Sequence, residues 1–129
     1  MNWKLIFVLS LLAIPMAFAT VYYIPQNLEP VVWLAVFLAY AFVIAKVAAG
    51  RFFLHGFMVS IFNCVWITAI HFILFDAYYA NHPNLADMKG VTPQTMRYAG
   101  LVIGPVIGII SGVILGLFSF VAAKIFRKR

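Results

Sequence analysis

An all-α, polytopic bundle of transmembrane helices is the fold class the sequence predicts, and three observations predict it. Hydrophobic residues make up 66% of the chain and charged residues only 9%, where a soluble domain carries roughly a quarter charged. The mean hydropathy is +1.06. The apolar residues fall into four runs, each reaching the about 20 residues that a helix needs to cross about 30 Å of hydrocarbon. A soluble domain of 129 residues could not hide this much apolar surface. In lipid, every backbone polar group must be satisfied within the structure, which excludes lone strands.

The expected architecture is a single domain over residues 1–129, with helices at about 3–24, 31–49, 56–80 and 97–123. The first connector, Pro25 to Pro30, is bounded by prolines that restrict their own dihedrals and those of the residues before them. The second, Gly50 to His55, is short enough to make helices two and three antiparallel neighbours. The one long connector is an outer loop over 81–96. At its end Thr92 is placed to cap the last helix with Pro93 at the first helical position. Pro15 and Pro105 each remove one backbone hydrogen bond inside an apolar run.

Residues 1–19 admit a second reading as a secretory signal, with Lys4, an apolar core from Leu5 to Ile14, and Ala17-Phe18-Ala19 before Thr20. Cleavage there would leave three helices. The apolar continuation through Ile24 favours a retained first helix.

The net charge of +6 belongs to the ends of the apolar runs, so nucleic acid is not the expected partner. Lys4, Lys46, Arg51, Lys124, Arg127, Lys128 and Arg129 fall on one side of a four-span arrangement. Lys89, Arg97 and all three acids, Glu29, Asp76 and Asp87, fall on the other. Basic residues favour the cytoplasmic side, so both termini are expected there. A bacterial inner membrane is the default location for so compact a chain. Trp3, Tyr22, Tyr23, Trp33, Tyr78, Tyr79 and Tyr98 lie near expected interfaces, where amphipathic rings are favoured.

The strongest local pattern is a glycine zipper. Gly100, Gly104, Gly108, Gly112 and Gly116 step by four along the last helix and account for five of the eight glycines. Residues four apart share a helix face. Little hydrophobic force joins helices in lipid, so small residues that let backbones approach closely are what hold them together. The stripe is expected to pack helix four against helix two or three, with self-association as the alternative.

Helix three carries the interior polar residues. Asn63, His71 and Tyr78 are expected to form a polar seam facing the bundle, as polar side chains in hydrocarbon do. One use of such a seam is interhelical hydrogen bonding; the other is proton-responsive chemistry, since histidine titrates near neutrality. His71, Asp76 and His82 are separated by steps of five and six, which puts them on different faces, and no HExxH or CxxC spacing occurs. No metal is expected. Cys64 is alone and forms no internal disulfide.

Nucleotide-binding and nucleophile-elbow motifs are absent from the sequence. Neither a catalytic residue nor a cofactor is therefore expected, and the chain is not read as an enzyme. The reading is a small integral membrane protein with a structural or accessory role through helix–helix association. The alternative is a subunit of an oligomeric small transporter or channel. The expected partners are membrane lipids, and either further copies of the chain or a larger membrane complex.

Overall fold

The computed structural model describes residues 1–127; Lys128 and Arg129 of the basic tail lie outside the described residues. The described residues are helical and contain no strand. Four helical stretches are long and apolar enough to cross a membrane: Trp3–Tyr22, Glu29–Val47, Phe52–Ile73 and Pro93–Phe126. This is the all-α transmembrane bundle expected from composition, and it fits a small integral membrane protein.

The first span consists of α1 (Trp3–Ser10) and α2 (Ala13–Tyr22). The interruption at Leu11 and Leu12 follows from Pro15. Its missing N–H leaves the Leu11 carbonyl to accept from Ile14 instead, at 3.1 Å, in a tighter turn. Both pieces bury one continuous face: Ile6, Ser10, Ala13, Ala17, Thr20 and Val21 are each at most 1% exposed. The second span, α3 (Glu29–Val47), starts with Pro30 in its first turn and ends at the extended Ala48.

The third span, α4 (Phe52–Ile73), starts earlier than 56. Arg51, at its N-cap, takes a left-handed backbone with φ 51°. The helix then turns at Leu74, and α5 (Phe75–Asn81) continues from it. Within the loop expected at 81–96 sits one further helical turn, α6 (Pro83–Ala86). The last helix, α7 (Pro93–Phe126), starts ahead of 97, at the Pro93 position expected from a Thr92 cap, where the Thr92 hydroxyl accepts from the Thr95 N–H at 3.2 Å. At 34 residues it is about 51 Å long, and it runs through Pro105 without interruption.

Helix α4 is the centre of the bundle. Its most extensive pairing is with α7, and α1 and α2 pack on it from another side. Helix α3 leans chiefly on α7. The core holds Tyr40, Ala41, Ile44 and Ala45 from α3, Ala48 just after it, Val59 from α4, and Leu115, Ala122 and Ala123 from α7. Alanine on both sides of the α3–α7 contact lets these backbones approach, which is how helices gain packing energy in lipid.

The N terminus, the 48–51 connector and the end of α7 share one end of the bundle. The Asn2 N–H donates to His55 Nε2 at 3.0 Å, and Arg127 lies over the Phe52 ring. The 23–28 connector and α5–α6 share the opposite end, where Asn84 Nδ2 donates to Gln26 Oε1 at 3.1 Å. These are called the terminal end and the loop end below.

Candidate functional site

The polar groups divide into a mid-bundle pair and a column at the loop end. The structure does not gather Asn63, His71 and Tyr78 into one seam. Eight residues at about 100° each leave Asn63 and His71 about 80° apart around the helix axis, too far to share a face. Asn63 is 3% exposed and turns towards α3, beside the Tyr40 hydroxyl. Neither of these buried groups completes a hydrogen bond of good geometry.

His71 faces the first span. The Thr20 hydroxyl donates to the Ala17 carbonyl at 2.9 Å and lies 2.9 Å from His71 Nε2. With its own proton committed, Thr20 can only accept from the imidazole, which places the His71 proton on Nε2. The His71 ring stacks on Tyr78 at 4.4 Å between centroids, and Tyr78 stacks on His82 at 4.0 Å. The steps of seven and four residues keep these rings within reach on one side of α4 and α5.

His82 ends the column and is 1% exposed. Its Nδ1 lies 2.7 Å from the Tyr78 carbonyl, which only a protonated Nδ1 can satisfy. Its Nε2 has no hydrogen-bond partner and faces Glu29 Oε2 at 3.9 Å. A neutral His82 therefore turns a lone pair towards a carboxylate, whereas an imidazolium makes an ion pair. Burial, and secondarily the Glu29 carboxylate, push the Tyr78 phenol up to about 12, so it is neutral at physiological pH.

Sequence reasoning did not assign Thr20, Glu29 or His82 to this column. Thr20 and Glu29 sit on other spans, and only the folded chain brings them to helix three. His82 was considered with His71 and Asp76 for a metal; Asp76 is exposed and outside the column. Among the described residues, no three His, Cys, Asp or Glu side chains form a group that could hold a metal ion. His55 belongs to neither polar group. It is 3% exposed, accepts from Asn2 and contacts the Arg51 carbonyl through Nδ1 at 3.0 Å, tying the N terminus to α4.

The glycines on α7 meet α4. A Cβ added to Gly108 would lie 2.6 Å from Cys64 Cβ; one on Gly112 would lie 2.9 Å from the Phe57 ring, and one on Gly116 2.7 Å from the Phe53 ring. Gly104 faces the Thr68 side chain, whereas Gly100 has open space beside it. The opposing helix contributes Gly56, whose added Cβ would reach the Leu115 carbonyl at 2.6 Å. Ser60 Oγ donates to the Gly108 carbonyl at 3.2 Å and Cys64 Sγ to the Gly104 carbonyl at 2.9 Å. Such contacts require the backbone to be unobstructed.

Compared with protein-family models, curated proteins and solved structures, the chain matches none. The functional reading therefore rests on geometry alone.

Proposed function

We propose that the chain is a small integral membrane protein with a structural or accessory role, acting through helix–helix association and not through chemistry of its own. The observation that carries this reading is where the polar groups point. Ser60, Cys64, Thr20 and His71 all direct hydrogen bonds at a neighbouring span, which is how polar side chains fasten helices in lipid. Its output would be a surface offered to lipids, to further copies or to a larger membrane complex. The charge distribution supports a cytoplasmic terminal end, and a bacterial inner membrane fits so small a bundle. Crosslinking in the native membrane tests the reading directly. A partner crosslinked through an α3 or α7 surface residue is expected, together with no solute or proton flux in liposomes. Flux from the purified chain alone would overturn it.

One observation favours the second reading, an oligomeric small transporter or channel subunit. The buried His82 Nε2 faces Glu29 Oε2 at 3.9 Å, and stacked rings connect His82 to His71 deeper in the bundle. Proton flux in liposomes that disappears in His71→Ala at unchanged helicity would establish this alternative.

A further inference from the structure

An apolar groove of about 620 Å³ runs between α3 and α7 in the terminal half of the bundle. Leu38, Phe42, Val121 and Phe126 form walls, and Ala41 and Ala122 the floor. The floor is smooth because both residues are small and closely packed, at 3% and 9% exposed. Along α7 the lining runs from Leu117 to Phe126, a rise of about 14 Å.

Its terminal end is marked by charge. Phe42 and Phe126 meet edge to face at 5.1 Å, and Lys46 Nζ lies 5.7 Å from one ring centre and 5.6 Å from the other. Lys46 has no carboxylate partner among the described residues, and Glu29, the one acid on its own helix, stands at that helix's far end. An acyl-chain-sized slot thus leads to an ammonium that no carboxylate among the described residues neutralises, near the terminal end of the bundle.

We propose that this groove is a binding site for one anionic glycerophospholipid, with an acyl chain between α3 and α7 and its phosphate on Lys46. Basic positions between helices at a membrane interface recognise such headgroups. The apolar walls alone would accept any acyl chain, so selectivity for an anionic headgroup rests on Lys46.

The test is native mass spectrometry of the full chain released from nanodiscs holding equal phosphatidylglycerol and phosphatidylcholine. The wild type should retain one phosphatidylglycerol with about fivefold preference, the effect of one basic residue at the surface. Lys46→Gln, an exposed change that leaves the core intact, should abolish the preference. Lys124→Gln should keep it, because that ammonium lies over Phe120, which does not line the groove. Ala122→Phe should fill the floor and lower retention of both lipids. Soluble glycerol phosphate should not displace the bound lipid; displacement would assign the site to free phosphate and overturn the acyl-chain assignment. An absent preference in the wild type, or one unchanged in Lys46→Gln, would also overturn the proposal. So would a dimer that buries Val121 against a second copy.

Discussion

Thr20 carries two interactions on one hydroxyl, and its replacement is therefore informative. Thr20→Val keeps the shape of the side chain but leaves His71 Nε2 without its partner, while the Ala17 carbonyl keeps its place in the helix. Interhelical hydrogen bonds in membranes contribute about 1 kcal/mol, so the melting temperature in detergent should fall by the equivalent of about 1–2 kcal/mol. An unchanged melting temperature would mean that the hydroxyl is not fastening the first span to α4. Tyr78 gives a second residue-scale test. Its phenol, held up to about 12 by burial and then by Glu29, keeps its proton in the folded chain at pH values where the unfolded chain loses it near 10. The folded state binds more protons across that window, so stability must fall as pH rises from about 10 to about 12. The difference between wild type and Tyr78→Phe should show this loss; parallel pH curves for the two proteins would contradict it.

At the scale of elements, α7 offers an internal control. Gly100 and Gly108 lie on the same four-residue stripe, but only Gly108 has α4 against it. Gly108→Ala should destabilise by about 1–3 kcal/mol, the usual cost of overpacking, because its Cβ would meet Cys64 Cβ at 2.6 Å. Gly100→Ala should be neutral or stabilising, since alanine is the better helix former. Thermal unfolding of the two variants decides this, and equal effects would remove the distinction. The spacing of the glycines was legible in the sequence; the difference between members of the stripe was not, because each four-residue step drifts about 40° around α7 and only the folded bundle shows which members face α4. The same limit applies to the polar residues. Seven-residue spacing linked His71 to Tyr78, but nothing along helix three could point to Thr20 or Glu29 on other spans. The left-handed residue was also hidden. Gly50 is the obvious candidate for a positive φ, yet that conformation falls on Arg51, fixed by how α3 must hand over to α4. Thr92 and Pro93, by contrast, act through contacts within one turn, and the start of α7 could be read from them directly.

For the whole molecule, the decisive question is whether the first span belongs to the functioning protein. A signal-like pattern over residues 1–19 competes with a helix whose buried face is continuous from Ile6 to Val21. That face covers α4 along its length: Asn2 meets His55, Ser10 Oγ accepts from Trp66 Nε1 at 3.3 Å, and Thr20 meets His71. A chain starting at Thr20 would turn His55 and Trp66 towards lipid with those polar partners gone, and exposed polar groups in hydrocarbon are costly. It would also lose Ala17, whose carbonyl orients the Thr20 hydroxyl. N-terminal sequencing of the membrane-inserted protein should therefore find the first span retained. An engineered chain starting at Thr20 should accumulate poorly and fail to show a cooperative melt. If sequencing instead finds Thr20 at the mature N terminus, three helices must form the stable unit. The face of α4 carrying His55, Trp66 and His71 would then be open, and it would become the first surface to search for a partner helix.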